Sequence, residues 1–336
     1  MPKRSKLTPA VSEVRRLVRS ALVNHGASAQ EIVLVACSGG PDSMALAAAL
    51  AFEGPKLNLK IGAVIVDHGI QPETAAVAEN TKAELESLGF DLVEIKRVKV
   101  GEVGGMEAAA RTARYEAIDE VANDLNAKFV LLGHTLGDQA ETVLLGLTRG
   151  SGGKSLSGMA ELNGRYLRPL LSVTREMTLD VCAATDIPIW NDPHNVDPRF
   201  TRVRVRQVVL PMLEEELGPG IADALARTAE SLKEDNDVLD ELATTAFSEL
   251  ARQGATSVSL RIDGLKELKP AIRLRVYRLA ADVFGAYFHR SHVVEIDRLI
   301  TDWHGQKPLA LPSVRVERKG EEIVLKSTKT LKSGAC

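Results

Sequence analysis

Four strand-length apolar runs alternate with helix-like segments over the first half of the chain. They read IVLVAC, LKIGAVIVDHG, DLVEIKRVKV and AKFVLLGHT, and each precedes a segment with the character of a helix. Continuous apolar runs suit strands that are covered on both faces, as in a parallel sheet. Strands that alternate with helices indicate βαβ units with right-handed crossovers. The sequence therefore predicts an α/β fold, a doubly wound parallel sheet of Rossmann-like type.

The pattern changes after about residue 215. One long helix is expected over 221–252, two shorter helices near 267–285 and 291–303, and a hairpin that turns at Lys319-Gly320. The predicted domains are an N-terminal helix in 1–24, the α/β domain in 25–215, a smaller, mostly helical second domain in 216–325, and a tail in 326–336.

Cysteine use, charge and hydropathy limit the possible classes of protein. The three cysteines, at 37, 182 and 336, lie far apart and form no C-x-x-C pair, which argues for a reducing cytoplasm and against a zinc ribbon or disulfide framework. No apolar segment approaches the roughly 20 residues of a membrane span. We therefore predict a cytoplasmic protein with no membrane partner. The net charge of −3 gives no overall indication of nucleic-acid binding. The oligomeric state stays open, with a homodimer as one option.

The first apolar run ends at a loop that combines glycine, hydroxyl and carboxylate groups. Gly39 and Gly40 let backbone N–H groups approach an anion, and the start of the following helix favours phosphate. A carboxylate at Asp42 would repel phosphate unless a cation or an amine lies between them. The loop fits neither of the common glycine-rich phosphate motifs. The alternative is a simple glycine turn with a helix cap. The candidate nucleotide-binding residues are Ser38, Gly39, Gly40, Pro41, Asp42 and Ser43.

A second group of candidates follows the fourth apolar run. His134, Asp138 and Glu141 are spaced at i, i+4 and i+7, which predicts that they share one helix face. Two carboxylates and an imidazole could hold Mg²⁺ against phosphates or orient a substrate amine. The same spacing also suits a transition metal, but hard oxygen ligands favour Mg²⁺. The structural alternative is an acidic first turn that complements the helix dipole.

Two groups of arginines are candidates for phosphate contacts. Arg111 and Arg114 are one helical turn apart and could reach one anion, although Glu107 and Arg111 could equally form a surface ion pair. Four further arginines fall within eight residues of a chain that is acidic overall, which has the form of a phosphate-contacting patch. A solvated charged face is the alternative for this patch. Its members are Arg199, Arg202, Arg204 and Arg206.

These motifs resemble a known family. SGGPDS at 38–43 resembles the pyrophosphate-binding loop (PP-loop) of the N-type ATP pyrophosphatases, whose fold is of the adenine nucleotide alpha hydrolase type and which cleave ATP to AMP and pyrophosphate. Five further stretches resemble the tRNA(Ile)-lysidine synthetase pattern, in its order. They are VDHG at 66–69, MEAAARTARY at 106–115, GHTLGDQAETVLLGLTRGSGGKSLSGM at 133–159, RPLL at 168–171 and WNDPHNVDPRFTRVRVRQVVLPML at 190–213.

The resemblance implies a reaction and its participants. ATP would adenylate the C2 oxygen of the wobble cytidine in a CAU-anticodon isoleucine tRNA, and the ε-amine of free lysine would then displace AMP to form lysidine. The implied cofactors are ATP and Mg²⁺, with the metal near Asp42 and Asp138. Those two residues and Glu141 would be catalytic, His134 would lie beside the nucleotide, and the arginines with the second domain would bind tRNA.

One departure and three rival functions complete the prediction. Gly137 precedes Asp138 where the family usually has a second aspartate, so one carboxylate is missing. The rivals are a tRNA thiolase, another ATP pyrophosphatase of the same fold, and a nucleotide-binding module without catalysis. A thiolase would be expected to carry paired cysteines.

Overall fold

The computed structural model describes residues 7–67, 69, 74–98, 106–149, 152–190, 192 and 196–328. These residues form two compact units. The first comprises the described residues up to Thr148 together with Ser157–Ala229, and the second comprises Arg149–Leu156 together with the chain from Glu230 onward.

Helices and strands alternate through the first unit, as the sequence predicts. The helices of the chain are α1 (Pro9–Asn24), α2 (Pro41–Glu53), α3 (Thr74–Ser87), α4 (Met106–Asp124), α5 (Leu136–Thr148), α6 (Gly153–Leu156), α7 (Arg175–Thr185), α8 (Thr201–Arg204), α9 (Leu210–Leu217), α10 (Ile221–Leu250), α11 (Ile262–Glu267), α12 (Pro270–Asp282) and α13 (Arg290–Thr301), with a 3₁₀ turn at Pro55–Leu57 and a π-helical turn at Val205–Val209. The strands are β1 (Ile32–Cys37), β2 (Lys60–Asp67), β3 (Leu92–Arg97), β4 (Phe129–Leu132), β5 (Leu162–Asn163), β6 (Tyr166–Leu167), β7 (Ala251–Gln253), β8 (Ser257–Arg261), β9 (Leu309–Leu311), β10 (Val314–Lys319) and β11 (Glu322–Ser327).

The sheet of the first unit has the strand order β3-β2-β1-β4-β6-β5. All neighbours are parallel except β5 and β6. The chain moves outward in one direction through β2 and β3 and then returns to the other side of β1 for β4. The carboxyl ends of β1 and β4 therefore form the switch point at which open α/β sheets bind their ligands.

The central strand β1 is buried on both faces, which explains its continuous apolar sequence. Val33 and Val35 pack with the helices α1, α2 and α7 on one face, whereas Leu34 and Ala36 pack with the side chains of α4 on the other. All four side chains are at most 2% exposed. The predicted doubly wound parallel sheet is confirmed.

The second unit has its own core and its own sheet. A five-stranded antiparallel sheet has the order β7-β8-β11-β10-β9, and the predicted hairpin is its β10–β11 pair, with Gly320 at a positive φ of 56° in the turn. The long helix expected over 221–252 is α10, and the two shorter helices correspond to α12 and α13. The sequence did not predict β7, β8 and β9, because runs of three to five residues carry little periodicity.

One buried ion pair links two helices of the second unit. Arg273 is 7% exposed and donates from Nε to Oδ1 of Asp297 at 2.6 Å and from Nη2 to Oδ2 at 3.1 Å. The hydroxyl of Tyr277 donates to the same carboxylate at 3.2 Å. Asp297 therefore neutralises the guanidinium of Arg273, which would otherwise be buried without a negative partner.

No helix in the described part of the chain is long and apolar enough to cross a membrane.

We predict that Asp297→Ala lowers the free energy of unfolding of the second unit by about 3–5 kcal/mol, because it leaves a buried guanidinium without its carboxylate. The matched control is Asp237→Ala, which removes an exposed i,i+4 pair with Lys233 and should cost about 0.5 kcal/mol or less. Urea unfolding followed by the fluorescence of Trp303, in a Trp190→Phe background, measures both changes. Equal losses would contradict the prediction.

Candidate active site

The loop between β1 and α2 is built to present backbone N–H groups. Gly39 has a φ of +80°, and a Cβ added there would lie 2.7 Å from Oγ1 of Thr81. Gly40 is the N-cap of α2 and Pro41 occupies the first turn. The Ser43 hydroxyl accepts from the backbone N–H of Ser38 at 3.2 Å and donates to the carbonyl of Gly40 at 3.0 Å, which closes the loop on itself. The start of a 13-residue helix in this setting favours an anion.

A cavity of about 230 Å³ adjoins this loop at the carboxyl ends of β1 and β2. Ser38 and Gly40, both predicted to bind ATP, line it. The cavity is lined by apolar side chains and a few polar groups, as is usual for cofactor sites. Four of its polar or aromatic members were not among the predicted ATP-binding residues, although one lies in the family stretch VDHG and the cationic one was predicted to contact tRNA or phosphate. These four residues are Asp67, Trp190, Asp192 and Arg114.

Asp42 lies in the first turn of α2, and both of its carboxylate oxygens are held by α7. Arg175 donates from Nη1 to Oδ2 at 3.0 Å, and the Thr178 hydroxyl donates to Oδ1 at 2.6 Å. Burial raises the pKa of Asp42, an effect that the hydrogen bond from Thr178 and the charge of Arg175 oppose. No sequence motif pointed to Arg175 or Thr178, because they lie more than 130 residues away from Asp42 along the chain.

Asp138 and Glu141 share one arginine. Arg206 donates from Nη2 to Oδ1 of Asp138 at 3.0 Å and from Nε to Oε1 of Glu141 at 2.6 Å. The other oxygen of Asp138 accepts from the backbone N–H of Thr135 at 2.9 Å, so Asp138 also caps the start of α5. The side chain of Glu141 is fully buried, and its Oε2 has no hydrogen-bond partner. Burial raises the pKa of Glu141, and the positive charge of Arg206 opposes that rise.

These carboxylates form one electrostatic cluster, which we call the acid cluster: Asp42, Asp138 and Glu141. The negative charge of Asp138 raises the pKa of both other members, so Asp138 links the other two carboxylates electrostatically. Two arginines, Arg175 and Arg206, partly neutralise the cluster. The arrangement leaves one carboxylate oxygen, Oε2 of Glu141, buried and without a hydrogen-bond partner. In the described part of the chain, no group of three or more His, Cys, Asp or Glu side chains is placed to hold a metal ion by itself.

The expected placement of His134 on the same helix face is wrong. His134 precedes α5, which begins at Leu136, so the i, i+4, i+7 pattern extends across a helix boundary. His134 instead lines a second cavity of about 200 Å³ with Arg111, Arg114 and Tyr115. Its Nδ1 is buried without a hydrogen-bond partner. The two predicted anion-contacting arginines of α4 therefore lie beside His134.

The arginine patch divides into two parts. Arg206 points into the acid cluster, whereas the other three lie at or near the surface. Arg199 pairs with Asp197 at 2.6 Å, Arg204 donates to the carbonyl of Pro198 at 2.7 Å, and Arg202 donates to Thr142 Oγ1 at 3.3 Å. Four arginines close together in sequence thus have two different environments.

Comparisons with known proteins identify the family. Residues 10–213 match the PP-loop domain family, and residues 260–321 match the TilS substrate binding domain family. The tRNA(Ile)-lysidine synthase of Leifsonia xyli is 52% identical over 290 residues, covering 86% of this chain and 87% of that protein. The enzyme of the same name from Thermobifida fusca is 48% identical and covers 95% of this chain and 98% of its own.

The chain belongs to the tRNA(Ile)-lysidine synthase family. The family predicted from the sequence is therefore confirmed, and the chain is an enzyme with an ATP-binding PP-loop domain. Among solved structures, the U34-tRNA thiolase NcsA from Methanococcus maripaludis, with its [4Fe-4S] cluster, superposes with a TM-score of 0.56. It is 20% identical and covers 67% of this chain and 79% of its own, which shows a shared fold alone.

In this lysidine synthase family member, Gly137 is not required by the backbone. Its φ is outside the left-handed region, and an added Cβ would approach only Oγ1 of Thr135, at 3.9 Å. The position can therefore accept a side chain. Gly133 differs, because its Cβ would lie 3.0 Å from the carbonyl carbon of Asp42 and 3.0 Å from the backbone nitrogen of Ser43.

We predict that Gly133→Ala weakens ATP binding by about tenfold, because the added methyl group must displace the loop backbone that presents N–H groups to phosphate. Gly137→Ala is the matched control and should leave the Kd for ATP within about twofold of wild type, since its methyl group enters open space. Isothermal titration with ATP measures both values. Unchanged affinity in Gly133→Ala would show that the close contact has no part in nucleotide binding.

The stability of the protein should depend on pH through His134. Burial lowers the pKa of His134 to about 4, from its usual value near 6.5, so its imidazole is neutral at pH 7. The unfolded chain takes up this proton near pH 6.5 but the folded protein only near pH 4. Stability should therefore fall as the pH drops through this window. In His134→Asn, the free energy of unfolding should fall less between pH 7 and pH 4.5 than it does in the wild-type protein. Urea unfolding of both proteins at the two pH values measures the difference. The same pH dependence in wild type and variant would contradict a buried neutral imidazole.

Proposed function

We propose that this chain uses ATP to join free lysine to C2 of the wobble cytidine in a CAU-anticodon tRNA(Ile), which forms lysidine and releases AMP and pyrophosphate. The observation that carries the proposal is the placement of a phosphate-type loop and a buried acid cluster at one switch point of the sheet. The names of its relatives support the choice of substrate.

The first step requires a site for a triphosphate. The C2 oxygen of the cytidine attacks the α-phosphorus, an O–P bond forms, and the bond to pyrophosphate breaks. The loop at 38–43 and the start of α2 offer N–H donors to the charge that develops on the leaving pyrophosphate. The cavity between the ends of β1 and β2 would hold the nucleoside, with Arg114 close to its phosphates.

The second step requires a site for an amine. The ε-amine of lysine attacks C2, a C–N bond forms, and the C2–O bond breaks with its electron pair leaving on AMP. Lysine enters as an ammonium ion and must lose one proton before its nitrogen can attack; the nitrogen loses a second proton once the C–N bond forms. Glu141 suits this task because its Oε2 is buried and unpartnered and because burial raises its pKa. Asp138 would orient the ammonium beside it.

Mg²⁺ fits the same residues. This ion usually binds one or two carboxylates together with substrate phosphates and water, and therefore does not need three protein ligands. Asp42 and Asp138 offer hard oxygen donors at the loop. When bound, Mg²⁺ would supply positive charge to the polyphosphate and to its departing oxygen.

The surface arginines would contact tRNA. Arg199, Arg202 and Arg204 lie at or near the surface and Arg111 is exposed, so their charges can reach a phosphate backbone. The second unit would add a further contact area, in keeping with the substrate-binding family that it matches. The reaction would take place in the cytoplasm, where tRNA, ATP and free lysine meet.

A sulfur-transfer reaction has less support. The described cysteines, Cys37 and Cys182, are both free and buried, and burial raises the pKa of both thiols, which disfavours the thiolate that sulfur transfer needs. A nucleotide-binding module without catalysis would have no need for a buried carboxylate oxygen that lacks a partner.

Mass spectrometry of nucleosides from tRNA(Ile) treated with the protein, ATP and isotope-labelled lysine tests the proposal. We expect labelled lysidine at the wobble position, and none with a tRNA that carries uridine there. Asp42→Asn should reduce the product at least about 100-fold, because it removes one negative charge of the acid cluster at the start of α2. The control Asp91→Asn, an exposed carboxylate outside the site, should behave like wild type. A wild-type protein that yields no labelled nucleoside would refute the function.

A further inference from the structure

One face of α7 contacts the nucleotide loop at each successive helical turn. Arg175, Thr178 and Cys182 are spaced at i, i+3 and i+7 and so lie along one side of the helix. The first two hold the carboxylate of Asp42, and the Sγ of Cys182 lies 3.4 Å from the carbonyl oxygen of Pro41. This contact between a remote helix and the loop is absent from the sequence motifs.

The segments that flank α7 reach both parts of the candidate active site. The backbone N–H of Trp190 donates to the carbonyl of Gly39 at 2.8 Å, and the N–H of Leu136 donates to the carbonyl of Val173 at 2.9 Å. The stretch 173–190 thus connects the loop after β1 with the start of α5, where Asp138 lies. This stretch can therefore fix the position of Asp42 relative to that of Asp138.

Thr178 makes the strongest of these contacts. Its side chain is fully buried, and its Oγ1 lies 2.6 Å from Oδ1 of Asp42 and 2.8 Å from the carbonyl oxygen of Arg175. A hydroxyl has a single hydrogen to donate, and a carboxylate is a stronger acceptor than a carbonyl. The hydrogen bond to Asp42 is therefore preferred. Arg175, whose side chain is 40% exposed, makes a more screened contact.

The carboxylate of Asp42 needs this restraint because other charges act on it. Arg206 attracts it and Asp138 repels it. Without the hydrogen bond from Thr178, only the more exposed Arg175 would hold the carboxylate on α7, and the side chain would be free to take another rotamer. A rotation of this kind misplaces a charged group by an ångström or more, which is enough to slow a reaction strongly.

We propose that Thr178 is a positioning residue for the ligation reaction, which acts by fixing the rotamer of Asp42. The inference rests on the proposed function. It concerns a step that depends on Asp42 after the substrates are bound, so it affects turnover more than binding.

Three variants test the proposal. Thr178→Val removes the hydroxyl and nearly preserves the shape, and Thr178→Ser restores the hydroxyl. Thr185→Val is the matched control on the same helix, because the hydroxyl of Thr185 donates to the carbonyl of Val181 at 2.6 Å and does not contact the loop. The kcat and KM for lysine-dependent pyrophosphate release with tRNA are measured for each protein, together with the melting temperature.

We expect Thr178→Val to lower kcat by about 10- to 100-fold, the usual cost of losing an outer partner of a catalytic group, with each KM within about twofold. Thr178→Ser should recover most of the turnover, and Thr185→Val should match wild type. The melting temperatures of Thr178→Val and Thr185→Val should agree within a few degrees.

Wild-type kcat in Thr178→Val would overturn the proposal, as would a loss of kcat that follows a fall in melting temperature and is not rescued by serine. These outcomes differ from failure of the proposed function, in which the wild-type protein itself would form no lysidine.

Discussion

The position of β1 at the centre of the parallel sheet is the constraint on which the rest of the first unit depends. This strand is bonded to β2 on one side and to β4 on the other, and it is covered on both faces. The connections from β1 and β4 must then leave toward opposite sides of the sheet. The loop at 38–43 and the start of α5 therefore follow two neighbouring strand ends, beside the cavity at the ends of β1 and β2. The candidate active site is thus a consequence of strand order.

The balance of charge in the acid cluster suits the proposed chemistry. Three carboxylates at one place would repel one another and repel phosphate, yet each accepts a hydrogen bond from an arginine or a threonine of a later segment. Two arginines leave a net negative charge, which suits a cationic substrate or metal. The unpartnered oxygen of Glu141 is costly in the free protein and is the kind of strain that a ligand relieves.

Much of the site could be predicted from local sequence because its parts are local. The loop at 38–43 joins a strand to a helix, and its two glycines and one proline act through their own backbone angles. Asp138 and Glu141 occupy one helix, so their spacing in the sequence was enough to predict that they lie on the same face. The prediction that His134 shares the helix face of Asp138 and Glu141 was wrong, because the periodicity of a helix says little about where the helix begins. The sequence pattern predicted the arginine patch as one feature. A π-helical turn at Val205–Val209 divides it, because Arg206 lies in this turn and points inward to the acid cluster, whereas Arg204 precedes the turn and is exposed.

The sequence by itself determined the type of sheet, the family, the phosphate-type loop and the acids, since each follows from apolar runs, spacings or short motifs that can be identified along the chain. Only the tertiary structure decided which cation meets which acid. Arg175, Thr178 and Arg206 reach their carboxylates across 65 to 136 residues, and the packing of α7 and of the π-helical turn brings them there. Such pairs leave no periodic signal, because a single contact between distant segments is specified by how whole helices pack.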